Sequence, residues 1–162
     1  MIRSRLMVLN RQRAVRLSIR DLNGFLSRAQ RKLRIPRGAL TVCLVSNSQI
    51  ARWNRDFRGK KGPTDVLSFP IEGEKHEPRF KRGRNRPRKF RFRTFPVCYL
   101  GDIAIAPAVA RKNALRAGGR LDHELRVLIL HGILHLVGYD HETDTGQMER
   151  REKRLRSELG LS

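Results

Sequence analysis

The chain has 162 residues, 39% of them hydrophobic and 31% charged, and 36 Lys plus Arg against 15 Asp plus Glu leave a formal charge of +21. That length fits a single domain able to bury about two-thirds of its unfolded surface, and that composition excludes a disordered or fibrous chain. So dense a positive field selects polyanionic partners, and with no apolar run near the roughly 18 residues of a spanning helix and no helix-length stretch basic on one face and strongly apolar on the other, nucleic acid is preferred to a membrane.

Six arginines, Arg3, Arg5, Arg11, Arg13, Arg16 and Arg20, precede the first acid, Asp21. They admit a transit-peptide reading, but Leu6-Met7-Val8-Leu9 is too short for a secretory apolar region and reads better as the first strand of a cytoplasmic protein. Ile19, Leu22, Phe25, Leu26, Ala29 and Leu33 recur at steps of three and four, which predicts an amphipathic helix from a Ser18 cap to about Leu33, stopped near Pro36. Leu40 to Val45 predicts a strand, with Cys43 as a small buried hydrophobe in it, and Asn47 is placed to cap a helix from Ser48 to Phe57.

After the breakers Gly59, Gly62 and Pro63, Asp65 to Phe69 predicts a strand ending at Pro70, and Val97 to Ile105 its neighbour. The stretch between them, Glu72 to Phe95, has the composition of a long mobile loop or hairpin. Ala106 to Ala117 predicts a helix stopped by Gly118-Gly119. Asp122 is placed to cap the next helix, which runs to about Val137, is apolar almost all round, and so belongs in the core. A last helix is expected from about Thr143 to Leu159. Helices and strands alternate unevenly and no repeat is visible, which points to a single α+β domain with helices layered on a small sheet. The two thiols, Cys43 and Cys98, make neither a disulfide framework nor a zinc knuckle.

The most specific segment is His131-Gly132-Ile133-Leu134-His135-Leu136-Val137-Gly138-Tyr139-Asp140-His141, which holds three of the five histidines. Residues four apart share a helix face, with a rise of about 6 Å, so His131 and His135 can converge on one ion. Gly138 can end the helix in a left-handed conformation and turn His141 back as a third ligand. Three imidazoles with an open fourth position describe a catalytic zinc site, although other divalent transition metals share such ligands. The spacing is that of the metzincin peptidases, but Gly132 stands where a zinc peptidase carries its glutamate base. Peptide hydrolysis by that route lacks its base. A metal-activated water can still attack a phosphodiester if a cation stabilises the charge on phosphorus.

Asn54-Arg55-Asp56-Phe57-Arg58-Gly59-Lys60-Lys61-Gly62-Pro63-Thr64-Asp65-Val66-Leu67-Ser68-Phe69-Pro70, Leu100-Gly101-Asp102-Ile103-Ala104-Ile105 and the histidine segment together resemble the YbeY family of rRNA maturation factors. The resemblance covers most of the chain, from about Leu40 to Gly160. It implies a single-strand-specific, zinc-dependent endoribonuclease acting in maturation of the 3′ end of 16S rRNA and in ribosome quality control, with rRNA and ribosomal small-subunit proteins as partners. It also implies an α+β fold whose helices pack on a mixed, mainly four-stranded sheet, with the histidine site in a basic cleft. His131, His135 and His141 fall on the three ligand positions for one zinc ion, and Arg58 on the functional arginine.

Arg58 and His131 are thus the catalytic candidates, and the planar guanidinium of Arg58 offers a fork that matches a phosphate. Lys60 and Lys61 follow it as RNA-binding candidates. The segment from Lys75 to Arg93 departs from the family in basicity, with ten Lys or Arg against Glu77. Its Arg82, Arg84 and Arg88 are candidate phosphate contacts, and the interleaved Phe80, Phe90 and Phe92 could stack bases. Asp65, Ser68 and Asp102 read as turn and strand-end hydrogen-bonders, and Asp140 as a possible orienting partner for a ligand. The alternative to an enzyme is a non-catalytic, metal-stabilised ribosome-assembly protein.

Overall fold

Val8–Asn10 forms β1, and Ser18 then opens α1, Ile19–Leu33, its side chain accepting from the Asp21 amide at 3.3 Å. The structure, a computed structural model, describes residues 7–71, 99–140 and 143–161. β2 is Leu40–Leu44, α2 Asn47–Arg58, β3 Val66–Pro70, β4 Gly101–Ile105, α3 Pro107–Arg116, α4 Leu121–Leu136 and α5 Gln147–Glu158. The strands form one sheet in the order β1-β2-β4-β3, in which β1, β2 and β4 run parallel and β3 runs antiparallel to β4. Among the described residues the chain is therefore an α+β domain of five helices on a four-stranded mixed sheet. Pro70 closes β3 opposite Gly101, and β3 lies at the sheet edge, where a missing N–H is tolerated.

Alternation along the strands sorts the two faces of the sheet. Leu40, Val42 and Leu44 of β2 and Ile103 and Ile105 of β4 join Phe25 and Leu26 of α1 and Leu125, Ile129, Leu130, Ile133 and Leu134 of α4 in the main core. The opposite face carries a smaller cluster, Val45, Ile50, Leu67, Ala104 and Ala106, with Trp53 of α2 and Phe69 of β3 packed on it. α4 touches α1, α3, α5, β3 and β4, which is the covering that its all-round apolar surface requires. Among the described residues, no helix is long and apolar enough to cross a membrane.

Several boundaries differ from expectation, each for a local reason. The cap of α2 is Ser46, in extended conformation and accepting from the Gln49 amide at 3.2 Å, so Asn47 is already helical. Asp122 does not cap α4. Arg120 occupies that position, and Asp122 sits in the first turn and pairs with Arg120 at 3.2 Å, where its charge complements the helix dipole. α5 begins at Gln147 rather than Thr143, because Gly146 takes a left-handed φ of 81° and the Asp144 carboxylate captures the amides of Gly146, Gln147 and Met148. Cys43, expected to be buried, is only half-buried, and its thiol pKa is raised by burial and by the nearby Asp102 charge. Leu6, Val97, Cys98 and the expected loop from Glu72 to Phe95 lie outside the described residues.

Candidate functional site

His131 and His135 sit on the last two turns of α4, on the face that their four-residue spacing makes common. Their rings meet edge to face, with centroids 4.7 Å apart and planes at 77°, and their Nε2 atoms approach to 3.1 Å. Two nitrogens bound tetrahedrally to one zinc at about 2.0 to 2.1 Å would lie about 3.3 Å apart, so the pair needs only a few tenths of an ångström of adjustment to share an ion. The sheet side of α4 is settled next door: a Cβ on Gly132 would lie 2.7 Å from Ile103 Cγ2. With that position pressed on β4, the preceding residue, about 100° round the helix, is turned away from the sheet. His131 accordingly keeps 27% of its side chain exposed.

The helix ends as the glycine predicts. Gly138 adopts φ 96°, its amide donates to His135 O, and the Tyr139 amide donates to Leu134 O at 3.0 Å, the paired bonds of a Schellman turn. His141 lies outside the described residues. Among the described residues, no set of three or more His, Cys, Asp or Glu side chains is arranged to hold a metal.

One carboxylate meets this pair that the sequence reading did not single out. His131 Nδ1 lies 2.9 Å from Glu152 Oε2, and Arg156 donates from Nε, at 3.0 Å, and from Nη2 to Glu152 Oε1. Burial raises the Glu152 pKa, but the hydrogen bonds from His131 and Arg156 outweigh it and hold the carboxyl below the usual glutamate value. A clue was present, since Glu152 falls between Met148 and Leu155 on the face that α5 buries, and an acid in an apolar stripe needs a partner. The Asp140 carboxylate accepts from Thr143 Oγ1 at 3.2 Å.

The cationic candidates follow one another at the C-terminal end of α2. Arg58 is the last residue of α2, Gly59 ends the helix with φ 65°, and Lys60 and Lys61 follow exposed. Asn54 Nδ2 donates to Gly62 O at 3.0 Å and ties this loop to the helix. A groove of about 430 Å³ runs along the outer face of α2, lined by Arg52, Arg55 and Lys61 with Ser48, Ala51 and Gly62. Phe57 is 69% exposed, and its ring stands edge-on to Phe69 at 5.2 Å. Ser68 donates to Gly132 O at 3.4 Å, linking β3 to the histidine helix, while Asp65 accepts from Asn113 and Asp102 from Tyr99. These three act as the hydrogen-bonders their positions suggested. Arg82, Arg84 and Arg88 lie outside the described residues.

The profile of a family described as Endoribonuclease YbeY matches residues 8–160. Endoribonuclease YbeY of Koribacter versatilis (strain Ellin345) is 38% identical over 157 residues, covering 96% of this chain and 86% of its own. The Helicobacter pylori (strain G27) protein of the same name is 38% identical over 120 residues, 74% of this chain and 70% of its own. A Thermotoga maritima protein with a solution structure shares the fold, with a TM-score of 0.52 at 27% identity over 94% of this chain and 87% of that one.

Proposed function

Because the chain belongs to the endoribonuclease YbeY family, we propose that it cleaves single-stranded rRNA, in maturation of the 3′ end of 16S rRNA and in ribosome quality control, with one zinc ion held by His131, His135 and His141. The observation that carries the metal reading is the 3.1 Å approach of two imidazole Nε2 atoms on a buried helix. The donor set fits zinc, since neutral nitrogens on a fixed helix suit a borderline-soft ion with an open position. A zinc ion so held supplies Lewis acidity and brings the pKa of a water near 7. His131 and His135 orient that centre, and the buried turns of α4 keep their positions fixed. Arg58 offers a planar pair of donors to the phosphate as negative charge builds on it. Lys60 and Lys61, with the general positive field, hold the RNA backbone without reading its sequence. A cytoplasmic location and small-subunit partners go with that substrate.

The test is cleavage and binding of a labelled single-stranded RNA by wild type, His131→Ala, His135→Ala and Arg58→Ala. Both histidine variants and chelated wild type should lose cleavage while keeping RNA affinity within about threefold, because affinity rests on the cations. Arg58→Ala should lose about 10²-fold to 10³-fold in kcat, the usual loss of one transition-state donor. Undiminished cleavage by the histidine variants or under chelation rejects the metal mechanism. Intact RNA with purified wild type, together with a chelator-sensitive melting temperature, would instead identify a metal-stabilised assembly protein.

A further inference from the structure

We propose that Glu152, clamped by Arg156, is a positioning residue that sets the tautomer of His131, placing its proton on Nδ1 and leaving Nε2 as the acceptor nitrogen on the side of His135. The proposal rests on the reading of these histidines as ligands for its purpose, though its test does not require a metal. A carboxylate is buried on α5 between Met148 and Leu155, only 11% of its side chain exposed, and such a group is stable there only if its oxygens are satisfied. They are divided between two partners: Oε1 accepts from Arg156, and Oε2 faces His131 Nδ1 at 2.9 Å.

An ionised carboxylate has no proton to give, so the hydrogen in the 2.9 Å contact belongs to Nδ1. A neutral imidazole carries one N–H, and with Nδ1 protonated, Nε2 is the unprotonated, accepting nitrogen. That Nε2 is the atom lying 3.1 Å from His135 Nε2. The opposite tautomer would set the Nδ1 lone pair against a carboxylate lone pair. Arg156 adds directionality, because a guanidinium can only donate and therefore fixes which way the carboxyl group presents its second oxygen. The residues come from two helices and stand 21 positions apart, so the arrangement depends on the docking of α5 against α4. A merely structural Glu152, stitching α5 through its i,i+4 bridge to Arg156, would leave the histidine ring free to take either tautomer.

Glu152→Gln separates the two roles with almost no change of shape. Arg156 would hold the amide oxygen, turning the amide NH₂ toward His131 Nδ1, which must then accept. The measurement is long-range proton–nitrogen NMR of the His131 ring in metal-free, ¹⁵N-labelled protein at a pH where imidazole is neutral. Wild type should show Nδ1 protonated and Nε2 unprotonated, and Glu152→Gln the reverse. Glu152→Gln combined with Arg156→Met should restore the wild-type tautomer, since the amide is then free to turn its oxygen to Nδ1. In parallel, zinc affinity measured against a competing chelator should fall about 10-fold to 100-fold in Glu152→Gln. A wild-type His131 protonated at Nε2, or a tautomer that Glu152→Gln and Glu152→Ala both leave unchanged, overturns the proposal. Failure of wild type to bind zinc would reject the metal reading alone, with the tautomer still deciding the role of Glu152.

Discussion

A Cβ at Gly132 would lie 2.7 Å from Ile103 Cγ2 and 2.9 Å from its Cδ1, and Ile103 is fully buried. Alanine gains up to about 1 kcal/mol in helix propensity over glycine, but crowding a packed core costs about 1 to 3 kcal/mol. Gly132→Ala should therefore lose up to about 2 kcal/mol net in urea unfolding. In an Ile103→Ala background the added methyl has room, and the same change should become neutral or stabilising; equal losses in both backgrounds would show that Ile103 is not the obstacle. The sequence marked Gly132 as the missing base of a zinc peptidase. The packing adds that a side chain there would have to displace the side chain of Ile103 on β4, so the position serves the approach of helix to sheet that carries the two histidines.

At the scale of the element, α5 owes its start to Asp144, whose carboxylate accepts from the amides of Gly146 at 2.7 Å, Gln147 at 3.1 Å and Met148 at 2.7 Å. The Met148 amide is the largest cause of a lowered Asp144 pKa. A carboxyl depressed by folding contributes stability that is full above its ordinary unfolded range and is lost as pH falls through the folded value. Asp144→Ala should lower the melting temperature by about 2 to 4 °C at pH 7, and the gap to wild type should narrow as pH falls below the ordinary aspartate range. A gap that does not narrow at all as pH falls through the acid range would show that the carboxylate charge is not what anchors the helix. The contrast with α1 explains which elements were legible. In α1 the apolar stripe and Ser18 lie in register, so the helix could be read directly. In α5 the capping acid stands before a left-handed glycine, and Thr143 to Gly146 forms a turn that helical periodicity cannot distinguish from a first helical turn.

At the scale of the molecule, the helices and strands were largely visible in the apolar pattern, whereas the strand order was not. β4 inserts between β2 and β3, and periodicity carries no information on which strand pairs with which; the mixed four-stranded sheet was expected from the family resemblance. The site divides similarly. His131 and His135 follow from the i,i+4 geometry of one helix, while Glu152 reaches His131 from another helix, where no spacing rule operates. What the fold accomplishes is to carry a pair of imidazoles 3.1 Å apart on a core helix in a chain of charge +21. The most direct measurement is the metal content of purified wild type and His135→Ala by elemental mass spectrometry. About one zinc per chain in wild type and almost none in a folded His135→Ala is the expected result; equal zinc in both proteins contradicts a metal centre built on this helix.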